Sequence, residues 1–185
     1  MPYMTPEVER IIQTAEAETK DHALGKSIYF GPTALTHIKR LLETGGSIVA
    51  DTSLIAGEIE TNLLGVRNAR IQCFIDDPQV VSLASQRRVT RAEVAADMGL
   101  ALPGLKLMVV GSAPAAISRI ISRRQHEPLS DVCVLAAPSG FASVVQIKER
   151  LIDSDLCAIV VRGKKGGVPV TMALLNAILR EINQG

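Results

Sequence analysis

The sequence predicts an α/β fold with about five mainly parallel strands and helices on both faces of the sheet. Two observations carry this reading. Short apolar runs recur at residues 48–50, 71–75, 107–110, 132–136 and 158–161, and the segments between them show helical spacing or helix-start signatures. Runs that are apolar throughout suit a parallel sheet, because strands buried on both sides lose the apolar–polar alternation. A chain of 185 residues, 47% hydrophobic, can bury a core as one domain over residues 1–185.

The elements follow in order. Thr5 before Pro6 reads as an N-cap and first helical position, with Glu7 and Glu9 suited to the positive helix end. Val8, Ile11, Ile12 and Ala15 then fall at helical spacing. A second helix is expected from Pro32, lined by Leu35, Ile38, Leu41 and Leu42 and ended by Gly45-Gly46. His37, beside Lys39 and Arg40, is expected on its surface. Asp77-Pro78 opens another helix, and Thr90-Arg91-Ala92-Glu93 is a capping box. Ile117, Ile120 and Ile121 mark a further helix whose Arg119, Arg123 and Arg124 are expected to be solvated. Val144, Val145, Leu151 and Ile152 mark the next, and "VVRGKKGGVPVTMALLNAIL" (160–179) reads as strand, basic glycine turn and helix.

Composition narrows the function. Twenty basic and 19 acidic side chains leave a formal charge of +1, and aromatics are only 3%, so neither nucleic acid nor an anionic membrane is an expected partner. Cys73, Cys133 and Cys157 sit in apolar runs without C-x-x-C spacing, which suits small buried thiols in a reducing compartment. His22, His37 and His126 lack a His or Cys at ligand spacing, so no metal site is expected. "MPYMTPEVER" lacks a signal-peptide core and no apolar run nears ~20 residues. A soluble cytoplasmic protein is expected.

In a parallel α/β sheet the ligand lies beyond the carboxyl ends of the strands. The turns there are "ADTS" (50–53), "IDDP" (75–78), "GSAP" (111–114), "APSGF" (137–141) and "RGKKGG" (162–167), rich in small residues, hydroxyls and charge. Each alone is also an ordinary turn or N-cap; five together point to a shared pocket. No dinucleotide or P-loop glycine motif occurs, and Ser139 lacks the G-x-S-x-G elbow. "RGKKGG" suits a carboxylate or phosphate bound by helix-start amides with Lys164 or Lys165; the alternative is a solvated basic turn. Asp51 is the better placed of the strand-end carboxylates, since Thr52 and Ser53 add two hydroxyls, whereas Asp77 reads as an N-cap.

These turns, in this order, resemble the precorrin-8X methylmutase family of cobalamin biosynthesis. The resemblance rests on "IVADTSLIAGEI" (48–59), "CFIDDPQVVSLASQRRVTRAEVAADMGL" (73–100), "MVVGSAPAAISRII" (108–121), "PSGFASVVQIKERL" (138–151) and "VVRGKKGGVPVTMALLNAIL". It implies a flavodoxin-like three-layer fold, a homodimer, and an isomerase that moves a methyl group between neighbouring corrin-ring carbons of precorrin-8X or cobalt-precorrin-8. It implies no separate organic cofactor and a carboxylate-rich tetrapyrrole as substrate. By the resemblance, Gly111, Ser112, Pro114, Gly140, Phe141, Arg162, Gly163, Gly166 and Gly167 shape the pocket, with Asp51 and Thr52 at its edge. The family uses a histidine on a helix before "SIYFGPTAL" as proton donor. Here no histidine stands at that spacing, and His22 is the substitute acid. The family's "N-A-P-T" is Ser112-Ala113-Pro114-Ala115 here, its "E-S-K" is Gln146-Ile147-Lys148, and its first-helix serine is Val8. These losses of polar groups motivate an alternative, a tetrapyrrole-binding paralogue without catalysis.

Overall fold

The apolar runs form strands because each carries branched side chains that fill both faces and is bounded by turn-forming residues. The computed structural model describes residues 3–62 and 68–185, so Met1 and Pro2 of the N-terminal stretch lie outside the described residues. The chain runs α1 (Pro6–Thr19), a 3-10 turn (Leu24–Ser27), β1 (Ile28–Phe30), α2 (Ala34–Thr44), β2 (Ser47–Ala50) and α3 (Ser53–Asn62). It continues through β3 (Arg70–Gln72), α4 (Pro78–Arg87), α5 (Arg91–Leu100), β4 (Lys106–Val110) and α6 (Pro114–Arg124). β5 (Val132–Ala136), α7 (Ala142–Asp153), β6 (Cys157–Val161) and α8 (Val168–Gln184) complete it.

The strands lie in the order β1-β6-β5-β4-β2-β3. β2 to β6 are mutually parallel, and β1 runs antiparallel on the edge of β6. Winding proceeds from β2 outward to β3, then returns to β4 and on to β5 and β6. The direction therefore reverses between β2 and β4, the position where doubly wound sheets open a crevice.

Alternation along the strands sorts two cores. Ile48, Leu107, Cys133 and Cys157 share one register row and pack with α1, α2, α3 and α8. Val49, Met108, Val134 and Ala158 share the next row and pack with α5, α6 and α7. The result is a three-layer sandwich. On the first face α8 is buried continuously from Thr171 to Leu179. The helix starts read from sequence are in place. Thr5 Oγ1 accepts from Val8 N at 3.2 Å, Asp77 Oδ1 from Gln79 N at 2.8 Å, and Thr90 and Glu93 cap each other reciprocally. Such caps stabilise a helix by about 1 kcal/mol each.

Five expectations are corrected. A sixth strand, β1, is present; three residues are too short to show a period, and pairing defines it instead. The ladder is extended by Gly31 N to Ala158 O at 2.8 Å and Arg162 N to Ser27 O at 2.6 Å. α2 starts at Ala34 rather than Pro32, and the 71–75 run is a strand only at its beginning. His37 is buried, not on the surface: it shares the face of Ala34, Ile38 and Leu41, and its Nε2 donates to Lys106 O at 2.9 Å. Burial pushes its pKa down. Arg119 and Arg123 are not simply solvated. Both bond to Asp97 on α5, at 2.8 and 3.0 Å, and so tie α5 to α6.

Candidate functional site

Because β2 to β6 are parallel, their carboxyl ends and the turns after them share one end of the sheet. The structure brings the sequence candidates into two clusters there. At the crevice between β2 and β4, Asp51 Oδ1 accepts from Gly111 N at 3.1 Å, and Oδ2 accepts from Ser112 N and Ala113 N at 2.8 Å each. Ala113, the N-cap residue of α6, makes no side-chain cap bond, and Asp51 instead gathers the three amides of the turn that leads into the helix. These three amides are therefore already occupied by the chain's own carboxylate.

Thr52 Oγ1 accepts from Ile55 N at 3.2 Å and caps α3. Gly111 is small for a packing reason. A Cβ there would come within 2.6 Å of Ile55 Cδ1 and 2.8 Å of Thr171 Oγ1, so its absence lets α3 and α8 approach the strand end. Ser112 is exposed, and Pro114 sits in the first turn of α6. Below Asp51 lies a cavity of about 20 Å³, walled by Val49, Ile75, Ala95, Met108 and Ala116.

The second cluster joins the turns after β5 and β6. Gly140 N donates to Lys164 O at 3.3 Å, and Gly167 N to Ala137 O at 2.7 Å. Gly163, Gly166 and Gly167 hold φ values of 74°, 149° and 101°, which fold 162–167 back against residues 137–140. Phe141 and Gly167 are the N-caps of α7 and α8; a phenyl ring offers no capping oxygen and glycine has no side chain, so neither helix start has a side-chain cap. Phe141 is 80% exposed, with Lys164 Nζ 5.9 Å from its ring centroid.

The cations of this turn have separate fates. Arg162 forms a two-bond pair with Glu149 at 2.8 and 2.7 Å. Lys165 pairs with Asp21 at 2.6 Å, which holds the Asp21 carboxyl below its ordinary pKa. Lys164 alone leans over Phe141. The Asp21 pair ties the loop carrying His22 to the turn. His22 itself is exposed and lines a separate open groove of about 500 Å³ with Glu9, Gln13, Glu16 and Lys26.

Sequence reasoning missed Lys148. Its side chain is fully buried on α7, and Nζ donates to Gly163 O at 3.0 Å and Lys165 O at 2.8 Å. The signal was in the spacing: Val144, Lys148, Leu151 and Ile152 follow the apolar stripe, so a helix buried on that face carries the lysine inside. Burial lowers the ammonium pKa from 10.5 to about 8.

Near neutrality the lysine is charged in both folded and unfolded chains, and the burial cost is fully felt. Above about pH 8 the folded protein releases the proton first, while the unfolded chain keeps it until about 10.4, so stability at this site rises with pH through that window. The unfolding free energy of the native protein minus that of Lys148→Met should increase by about 2 kcal/mol from about pH 7 to about pH 10. Urea unfolding at both pH values measures this; a flat difference would show that burial does not depress this ammonium.

Among the described residues no group of three or more His, Cys, Asp or Glu side chains is arranged to hold a metal, and no helix is long and apolar enough to cross a membrane.

Comparison with known proteins adds to this geometry. Residues 2–181 match the family model described as CbiC, precorrin-8X methylmutase. The cobalt-precorrin-8 methylmutase of Salmonella typhimurium is 30% identical over 183 residues, covering 98% of this chain and 85% of that protein. That of Methanothermobacter thermautotrophicus is 27% identical, covering 93% and 78%. The solved precorrin-8x methyl mutase from Thermus thermophilus superposes with a TM-score of 0.85 at 23% identity, over 100% of this chain and 91% of that one, which shows the shared fold.

Proposed function

The chain belongs to the precorrin-8X methylmutase family, and from that premise we propose that it is an isomerase that moves a methyl group between neighbouring ring carbons of precorrin-8X or cobalt-precorrin-8. The observation that supports this most is Phe141. An 80% exposed phenylalanine stands between the starts of two helices, beside Lys164. An exposed aromatic flanked by open helix amides and a cation suits a ligand with an apolar face and an anionic rim. A carboxylate-bearing macrocycle has that form: its ring lies against Phe141 and its acid arms reach the turn at 163–167.

The methyl shift changes no atom count, so the protein's task is to hold the macrocycle, lend it a proton while the methyl group moves, and take a proton back from the product. His22 is proposed as the acid: it lines a groove apart from the two turn clusters, and the Asp21–Lys165 pair that holds its loop to the turn is what would bring a bound macrocycle within its reach. Gly111, Ser112 and Pro114, positioned by Asp51, form the opposite wall, with Thr52 at its edge. No separate organic cofactor takes part. A cytoplasmic homodimer belongs to the same proposal.

The test mixes the purified protein with precorrin-8X and, separately, cobalt-precorrin-8 while visible absorption is followed. Conversion to the isomerised corrin spectrum is expected, with kcat falling about 100-fold or more in a folded His22→Ala variant. Undiminished turnover in that variant would remove His22 from the mechanism. A static spectral change would instead identify a tetrapyrrole-binding protein, and an unchanged spectrum would overturn both readings.

A further inference from the structure

The turn at 162–167 carries three glycines with positive φ, and its conformation sends the carbonyls of Gly163 and Lys165 into the protein. Carbonyls turned inward need donors. Both are met by one group, the Lys148 ammonium, from a side chain with no solvent exposure. A trans peptide is planar, with its C=O and N–H pointing to opposite sides. The structure has no cis peptide among the described residues. With Gly163 O and Lys165 O turned towards Lys148, the next amides in the chain, those of Lys164 and Gly166, must turn away from it. They point away from the Lys148 ammonium, in the turn whose Lys164 side chain lies by Phe141 and whose Gly167 starts α8. Neither donates to a backbone acceptor among the described residues.

We propose that Lys148 is a positioning residue, whose buried ammonium aims the Lys164 and Gly166 amides outward as a two-point seat for a substrate carboxylate. This rests on the reading that the ligand is a carboxylate-bearing corrinoid. Two amides one residue apart that point to the same side of a glycine turn can share one anion, and the Lys164 side chain adds a cation beside Phe141. The buried charge below the turn adds a positive field without touching the ligand. The arrangement also explains why a lysine is kept at a site where burial works against its charge. An apolar residue would pack there but would leave two carbonyls without a donor.

The experiment compares cobyrinic acid with its heptamethyl ester, which keeps the ring and removes every carboxylate charge. Spectral titration of the full chain should show the native protein preferring the acid, and Lys148→Met losing that preference. Acid affinity should fall about 10-fold or more while ester affinity stays unchanged. A purely structural role for Lys148 weakens both ligands alike, and that result would overturn the positioning role. So would an acid-to-ester ratio in the variant equal to that of the native protein. If the native protein binds neither ligand, the corrinoid reading falls and this proposal with it. A second measurement does not depend on the variant folding. In the native protein, the amide proton resonances of Lys164 and Gly166 should move downfield on titration with the acid and hold still with the ester. Equal movement with both ligands, or none with the acid, would overturn the carboxylate seat.

Discussion

Gly166→Ala is expected to destabilise the protein by about 3 kcal/mol or more, lowering Tm by about 6 to 12 °C for a chain of this size, and to abolish tight corrinoid binding. Two effects add. The φ of 149° lies where an L side chain is strained, and a Cβ would collide with Ala137 O, a backbone atom that no rotamer can move aside. That carbonyl is also held by Gly167 N at 2.7 Å, so relief of the clash breaks the bond joining the two turns. Gly163→Ala is the control. Its φ of 74° is strained too, but nothing lies within 4 Å of the added carbon, so about 1 kcal/mol is expected. Thermal unfolding of the two variants, with spectral titration, separates strain from collision. Equal effects at both positions would mean that the close approach to Ala137 is not what requires glycine at 166.

Asp51→Ala is expected to cost roughly 2 to 4 kcal/mol, because three amides lose a charged acceptor at once. Water replaces the carboxylate readily at exposed Ser112, and not at buried Gly111, which keeps the estimate below the sum of three charged bonds. Asp51→Asn should lose about half as much: one oxygen remains, and the amide nitrogen now faces donors. Urea unfolding and turnover, measured together, discriminate the two roles Asp51 can have. A role in building the crevice predicts that stability and turnover fall together across the two variants. Unchanged stability with lost turnover would place Asp51 against the substrate instead.

Much of this architecture was legible in the residues. Runs such as 107–110 and 132–136 announce central strands because burial on both faces leaves no polar positions. Thr5-Pro6, Asp77-Pro78 and Thr90-Glu93 announce helix starts because capping is a local bond, complete within four residues. The five strand-end turns and their order carried the family resemblance, and the family match over residues 2–181 agrees with it. β1 was not legible, since its three residues are a strand only by virtue of pairing with β6.

His37 and Lys148 were obscured for one shared reason. Each is a polar residue on an apolar stripe, and composition suggested surface while spacing pointed inward. Asp51 shows the complementary difficulty. Its carboxylate was recognised as a strand-end group, but its three partners are 60, 61 and 62 residues away.

By itself, then, the sequence determined what short-range physics governs: the central strands, the capped helix starts, and the family that the strand-end turns resemble. Only the tertiary structure decided which charges are already satisfied. Asp51 is satisfied by the amides of the turn before α6, Arg162 by Glu149, Lys165 by Asp21, and the carbonyls of Gly163 and Lys165 by Lys148. The reason is physical. A hydrogen bond or ion pair depends on separations of about 3 Å, and the winding of β2 to β6 sets those separations between residues that the chain keeps far apart.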